Sequence, residues 1–326
     1  MTKKNDNFQT VAGVLKEASS VLLYPHISPD GDAIGSTVAM ARVLRQLGKT
    51  CYVVTEDEIP ENLQFLDHGY TMPIGEVSDV PTVSMCIDCG EDGRYPKRAN
   101  WFHQAPISIC VDHHPTTEPV FDYNIIDPSA AAAAELIYHL IRALDHPIDR
   151  ETAEALYTGI NTDTGRFQYS NTTAQTHRIA ADLIDCGVDV NRMNVELYES
   201  QRPERMRIEA QVMNNMKLSA DGKFAMAYVT RAMMEENDVR SGDTDAVVAN
   251  LRSIRGVEVA AFFKEKADDE IKLSLRAKGN CDVAAIAMAF GGGGHRKASG
   301  ATLTMSLQEA IDAVTEKVLK SIADEE

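Results

Sequence analysis

Four short stretches of the chain concentrate acidic and imidazole side chains. They are His26-Ile27-Ser28-Pro29-Asp30-Gly31-Asp32, the lone Asp88, Asp112-His113-His114-Pro115, and Asn161-Thr162-Asp163-Thr164-Gly165. Singly, each has an ordinary reading. Ser-Pro-Asp-Gly-Asp is good turn chemistry in which an Asp caps the next helix, and Asp88 or Asp163 could close a strand or a turn. Together they imply something else. Adjacent imidazoles beyond an apolar run have no packing reason, and Asp30, Asp32, Asp88, Asp112 and Asp163 would repel one another at one edge unless cations neutralised them. Divalent ions resolve the conflict, and two of them sharing a carboxylate at roughly 3.5–4 Å separation use the set fully. Mixed imidazole and carboxylate donors suit manganese best, with magnesium, cobalt or iron less excluded than calcium. His68, His103, His139, His146 and His177 stand alone and read as structural.

The elements needed to bring these stretches together are legible around them. Val21–Tyr24, Cys51–Thr55, Val83–Ile87 and Ile107–Val111 are short apolar runs, and helical patterns such as Ala33–Leu47 and Ser129–Ala143 alternate with them. That alternation predicts a doubly wound α/β domain with a parallel sheet. The acidic and imidazole residues follow three of the strands and the helix Glu151–Ile160, and open parallel sheets bind ligands beyond the carboxyl ends of their strands.

From 189 to 220 the chain is polar and helical in period, which predicts a linker between a domain over 1–188 and a second, smaller α+β domain over 221–326. In that second domain Phe224–Thr230, Val257–Lys264, Glu270–Arg276 and Ala301–Met305 read as strands, with a hairpin at Ala267-Asp268-Asp269. Gly291-Gly292-Gly293-Gly294 lets backbone approach a ligand, with successive amides forming an anion nest. Between Asn250 and Gly300 nine Lys and Arg stand against six Asp and Glu, in a chain whose net charge is −17. So acidic a chain is a poor partner for long nucleic acid, and a small anion received by metals or by the local basic region fits better. There is no apolar leader and no run approaching a membrane span, so a cytoplasmic protein without membrane contact is expected. Six cysteines are too sparse for a disulfide scaffold, and the Cys86/Cys89 pair lacks the second pair of a zinc ribbon.

In this order, His-x-x-x-Asp-x-Asp, a strand-ending Asp, Asp-His-His and a later Asp resemble the four motifs of the DHH phosphoesterases. Gly291–Gly294 with His295 resembles the signature of the C-terminal domain associated with them. The resemblance implies that His26, Asp30 and Asp88 hold one metal ion and Asp32, Asp88, His113 and Asp163 a second, with Asp88 bridging. It implies that Asp112 orients His113 and that His114 faces the scissile phosphate. Arg276 is similar to the family's phosphate-contacting arginine, with Arg252 as a lesser candidate beside the glycine run and His295. Within the superfamily the chain lacks the additional domains of RecJ-type exonucleases, the membrane segments of some cyclic-dinucleotide phosphodiesterases and the Ser-Arg-Lys-Lys-type motif of family II pyrophosphatases. It resembles the nano-RNase and pAp-phosphatase group. The implied activity is manganese-dependent hydrolysis of short oligoribonucleotides, including linear dinucleotides such as pApA, to mononucleotides, or of pAp to AMP. A homodimer is implied as well. An inorganic pyrophosphatase or short-chain exopolyphosphatase is the alternative enzyme, and a nucleotide-binding sensor the alternative without turnover; no metal position is missing, as it would be in a sensor.

Overall fold

Apolar runs buried on both faces build the first of two sheets. The computed structural model describes residues 4–240 and 242–324, and its contacts fall into two units that divide after Ser200. In the first unit, β1 (Ser20–Tyr24), β2 (Thr50–Thr55), β3 (Thr71–Pro73), β4 (Val83–Ile87), β5 (Ile107–Asp112) and β6 (Tyr123–Ile126) are all parallel, in the order β3-β2-β1-β4-β5-β6. The doubly wound sheet is present, and its four expected strands begin and end within one residue of their expected bounds. β3 and β6, which the apolar runs did not reveal, stand at the edges. β3 has three residues and ends in Pro73, and β6 carries the buried Asn124, so neither shows the continuous apolar pattern of a central strand.

The order reverses between β1 and β4, because the chain winds outward to β3 on one side and to β6 on the other. That switch opens a crevice beyond the carboxyl ends of β1 and β4. The helix Gly31–Gln46, which follows β1, packs on the helix Arg150–Asp163. A Cβ at Gly35 would stand 2.3 Å from the Ala155 carbonyl oxygen, and one at Gly159 would stand 2.6 Å from Asp32 Oδ1. The two glycines let these helices meet backbone to backbone, and the approach carries Asp32 and Asp163 towards each other.

The second unit holds the smaller α+β fold, a mixed sheet in the order β11-β12-β10-β9-β8-β7. Its strands are β7 (Lys217–Leu218), β8 (Phe224–Val229), β9 (Val259–Ala267), β10 (Glu270–Ala277), β11 (Gly293–His295) and β12 (Ala298–Leu303), and only β8 and β9 pair in parallel. The expected hairpin joins β9 to β10. Helices Val283–Met288 and Leu307–Ala323 bury their apolar residues against one face, and Pro203–Asn214 and Val247–Ser253 against the other. The segment 189–220, expected as a linker, is not a separate piece. Met193 and Leu197 are buried in the first unit's core, Ile208 and Val212 in the second's, so its helices are shared out between the two. No helix among the described residues is long and apolar enough to cross a membrane, and all six cysteines are free thiols.

Replacing Gly35 by Ala sets a methyl group against the Ala155 carbonyl. Overpacking of this kind should lower the unfolding free energy by about 1–3 kcal/mol, seen as a lower urea midpoint; an unchanged midpoint would show that the two helices have room to part.

Candidate metal centre

The residues beyond β1 are fixed by their own backbone. His26 Nδ1 lies 2.8 Å from the Ile27 carbonyl oxygen, which commits that nitrogen as donor and leaves Nε2 facing inward. Nε2 is 3.8 Å from Asp30 Oδ1 and 3.5 Å from Asp88 Oδ2. Asp30 caps the helix Gly31–Gln46, its Oδ1 accepting the Asp32 and Ala33 amides at 3.0 Å each. The ordinary capping role is therefore real, and the same oxygen faces His26. Asp32, in the first turn of that helix, is 1% exposed. Its carboxylate accepts the Ala133 and Ala134 amides at 2.6 and 2.9 Å, at the start of the helix Ala133–Ala143, whose positive end favours the charge.

Asp88 follows β4 with φ +63°, a left-handed conformation uncommon for a residue with a side chain. Its Oδ2 faces His26, while Oδ1 lies 3.4 Å from His113 Nε2 and 3.7 Å from His114 Nδ1. Oδ1 is buried with no hydrogen-bond partner. His113 Nε2 is also 3.6 Å from Asp163 Oδ2 and 3.9 Å from Asp32 Oδ2. Three donor groups result, each with its atoms within 4.8 Å of one another: His26, Asp30 and Asp88; Asp32, His113 and Asp163; Asp88, His113 and His114. Gaps of 3.4–3.9 Å are too long for hydrogen bonds. They match the span between two donors that each stand about 2.0–2.2 Å from one cation. The orphaned Asp88 oxygen and the donor chemistry thus fit divalent ions.

Electrostatics point the same way. Burial disfavours the charged form of His26, but Asp30 and Asp88 overcome it and raise its pKa to about 11. His113 is likewise opposed by burial and raised by Asp88, Asp32 and Asp163, to about 10. Burial first, then the Asp88 charge, pushes Asp32 well above the ordinary carboxyl range and Asp163 up to about 7. Asp88 moves the other way: burial opposes ionisation, yet His113 and His26 hold its carboxyl below the usual range. Left to itself the cluster holds protons where cations would sit.

Asp112 departs from the expected role. It is fully buried, and its Oδ1 accepts His114 Nδ1 at 2.7 Å together with the His113 and His114 amides, while Oδ2 takes the Thr117 hydroxyl. The ring it orients is therefore that of His114 rather than His113. His113 Nδ1 instead lies 3.3 Å from the Ala130 carbonyl oxygen, and the planes of the two rings are tilted 59° to each other. Asn171 was missed altogether. Its side-chain amide donates to the Ala131 and Asp163 carbonyls at 2.9 and 3.2 Å, pinning the helix end that carries Asp163. In Tyr169-Ser170-Asn171-Thr172-Thr173 nothing sets it apart from an ordinary polar loop. Among the histidines read as structural, none joins a donor group; His103 pairs with Asp92, and His139 and His177 pack on aromatic rings.

In the second unit, Arg276 of β10 pairs in register with Ala298 of β12, which pairs with His295 of β11. The arginine and the histidine thus share one cross-strand row. Arg252 lies on the helix Val247–Ser253, which covers part of the same face. The glycine run is not the open anion nest expected. Gly291, with φ +75°, ends the helix Val283–Met288: its amide donates to Met288 and that of Gly292 to Ala287, the Schellman pattern. Gly293 begins the edge strand β11. A Cβ at Gly292 or Gly294 would strike β12, whereas one at Gly293 would meet nothing.

The sequence profile of the DHH family, N-terminal domain, matches residues 20–160, and that of the DHHA1 domain matches residues 221–324. The bifunctional oligoribonuclease and PAP phosphatase NrnA of Thermus thermophilus is 32% identical over 321 residues, covering 97% of this chain and 95% of that one. The crystal structure of an exopolyphosphatase-related protein from Bacteroides fragilis aligns with a TM-score of 0.92 at 26% identity, over 98% of this chain and 97% of that one. RecJ from Thermus thermophilus in complex with Mn2+ is similar in fold alone, with a TM-score of 0.59 at 13% identity, over 99% of this chain and 56% of that one. The chain belongs to the DHH family, with an N-terminal DHH domain and a DHHA1 domain.

Proposed function

We propose that this chain is a phosphoesterase that hydrolyses short oligoribonucleotides, linear dinucleotides such as pApA included, to mononucleotides, and pAp to AMP. The carrying observation is Asp88, whose two oxygens face His26 on one side and His113 on the other, so that one carboxylate serves two donor groups. In this reading His26, Asp30 and Asp88 hold one divalent ion, and Asp32, Asp88, His113 and Asp163 the other. Manganese suits the mixed imidazole and carboxylate donors. Similarity to the oligoribonuclease and PAP phosphatase of Thermus thermophilus supports the substrate class. Divalent cations supply a nucleophilic water near neutral pH and neutralise charge at phosphorus.

The protein's own groups do the rest. Burial disfavours a charged His114, but its bond to Asp112 and the Asp88 charge outweigh that and raise its pKa. The ring is held protonated more firmly than an ordinary histidine and donates to an oxygen of the scissile phosphate. Asp112, anchored by Thr117 and two amides, keeps the ring from turning away. In the second unit Arg276 and His295, which share one cross-strand row, are the candidates for a phosphate contact, the guanidinium as a fork.

With manganese, the purified protein should release AMP from pApA and from pAp, as separated by chromatography, and Asp88→Ala should lose both turnover and metal binding. Hydrolysis of pyrophosphate or tripolyphosphate with no AMP from either nucleotide would replace this reading by a phosphatase of inorganic chains. Asp112→Asn should lower kcat about 10- to 100-fold. It should also move the alkaline limb of the kcat profile to lower pH, because His114 then loses its proton earlier; an unmoved limb would detach His114 from the chemistry.

Metal loading must displace protons. The His26 and His113 pKa values of about 11 and about 10 lie above neutrality, so binding at pH 7.5 releases protons and affinity rises with pH. Manganese titrations by calorimetry in buffers of different ionisation enthalpy should give different heats, and identical heats would contradict the proton-filled cluster.

A further inference from the structure

One peptide group in the first unit bonds on both sides, and one of its partners has no part in the chemistry described so far. The carbonyl oxygen of the Ile27–Ser28 peptide lies 2.8 Å from His26 Nδ1. The N–H of the same peptide donates to Asp57 Oδ2 at 2.7 Å. A planar group thus accepts from an imidazole and passes the interaction on to a carboxylate. Metal-binding histidines commonly give their second nitrogen to a carboxylate or a backbone carbonyl. Here the carbonyl is backed by a carboxylate through one peptide bond. Hydrogen bonds in such a chain polarise one another, so the Asp57 charge makes the Ile27 oxygen a better acceptor.

Backbone strain falls on the same peptide. Ser28 has φ +50°, in the left-handed region that residues with a side chain seldom adopt. Turning the peptide over would change ψ of Ile27 and φ of Ser28 together. It would return Ser28 to negative φ and swing the Ile27 carbonyl away from His26. The relaxed backbone is therefore the one in which the ring loses its acceptor, and the bond to Asp57 opposes that relaxation. Both ends of the relay are anchored. The Ile27 N–H donates to the Arg94 carbonyl at 2.7 Å, which holds the preceding peptide. Glu56, beside Asp57, accepts from Arg98 Nε at 2.9 Å and from the Lys97 amide at 3.2 Å, and Arg98 also donates to the Val54 carbonyl at 2.6 Å. Arg98 and the Glu56 side chain are buried, so this pair fixes the end of β2 from which Asp57 reaches the loop. Asp57 itself lies at the surface, and replacing it empties no core.

We propose that Asp57 is a positioning residue for the ion held by His26, Asp30 and Asp88: it locks the Ile27–Ser28 peptide in the orientation that keeps His26 Nε2 facing Asp30 and Asp88. Asp57 touches neither the ion nor the substrate and acts through the peptide alone. The proposal rests on the metal reading given above and adds a residue that none of the acidic and imidazole stretches contains.

The test titrates manganese into the full-length protein by calorimetry, for the unaltered chain, Asp57→Ala, Asp57→Asn, Ser28→Gly and the Asp57→Ala/Ser28→Gly pair. Asp57→Ala should weaken one of the two ions about 10-fold or more, with the other ion and the urea midpoint much less affected. Asp57→Asn, which keeps an oxygen for the Ser28 N–H, should recover most of that loss. With Gly at position 28 the left-handed φ carries no side-chain penalty, so Asp57→Ala should then cost far less. That coupling between the two positions is what a merely structural role does not produce. No loss in Asp57→Ala, equal weakening of both ions, or the same loss in both backgrounds overturns the relay while the hydrolase stands. AMP release from pApA by the unaltered chain is measured alongside. Manganese uptake without AMP overturns the proposed function and leaves the calorimetric comparison to decide the relay. Neither uptake nor AMP overturns the metal reading, and the relay with it.

Discussion

Five carboxylates, those of Asp30, Asp32, Asp88, Asp112 and Asp163, surround three imidazoles at the ends of β1, β4 and β5; Asp32, Asp88 and Asp112 are buried from the water that would screen them, Asp163 is half-buried and Asp30 lies at the open side. Two unit charges 4 Å apart repel by about 4 kcal/mol at an effective dielectric of 20. Several such pairs would use up the about 5–15 kcal/mol by which a domain is stable. The protein answers this in two ways. Backbone amides take part of the charge: Asp32 receives two from the helix Ala133–Ala143, Asp30 caps its own helix, and Asp112 receives two amides and a hydroxyl. The remainder must be met by protons or cations. Asp88 shows this best, because one of its oxygens has imidazoles in front of it and no hydrogen bond at all.

The same constraint explains why the surrounding backbone is so tightly specified. Asp88 sits in a left-handed conformation that costs of order 1–3 kcal/mol unless its neighbours enforce it, and its amide is held by Val111 of the adjacent strand. Asp32 and Asp163 come from different helices and meet only because Gly35 and Gly159 remove the side chains that would separate those helices. Asn171 then ties down the last turn that presents Asp163. The donor groups are thus a property of the strand order and of one close helix pair, which no single motif contains.

That division decides what could be read from the chain. Residue types after each apolar run were legible, because strand ends in a doubly wound sheet point to one edge whatever lies between them, and His26, Asp88, His113 and Asp163 do converge there. Roles that depend on the path of a turn were not. Asp112 stands next to His113 in sequence but bonds the ring of His114, since the choice rests on how the chain bends after β5. Four consecutive glycines read as an anion nest, whereas Gly291 closes a helix and Gly293 opens an edge strand. β3 and β6 carry too few apolar residues to announce themselves, and the 189–220 segment has its own helical period yet buries its two ends in different cores.

Charge is distributed so that the acidic chain can still receive an anion. Net charge −17 repels a polyphosphate at long range. Within about 8–10 Å of the surface, at ordinary ionic strength, local groups dominate because distant ones are screened. On the donor groups, bound cations would reverse the local sign. On the second sheet, Lys272 and Arg276 stand on a strand whose opposite face is locked into a core. A small anion bound at either region meets mainly the charges of that region. The net acidity of the chain is therefore no bar to a small anionic ligand, because screening confines the contest to the groups that the ligand touches.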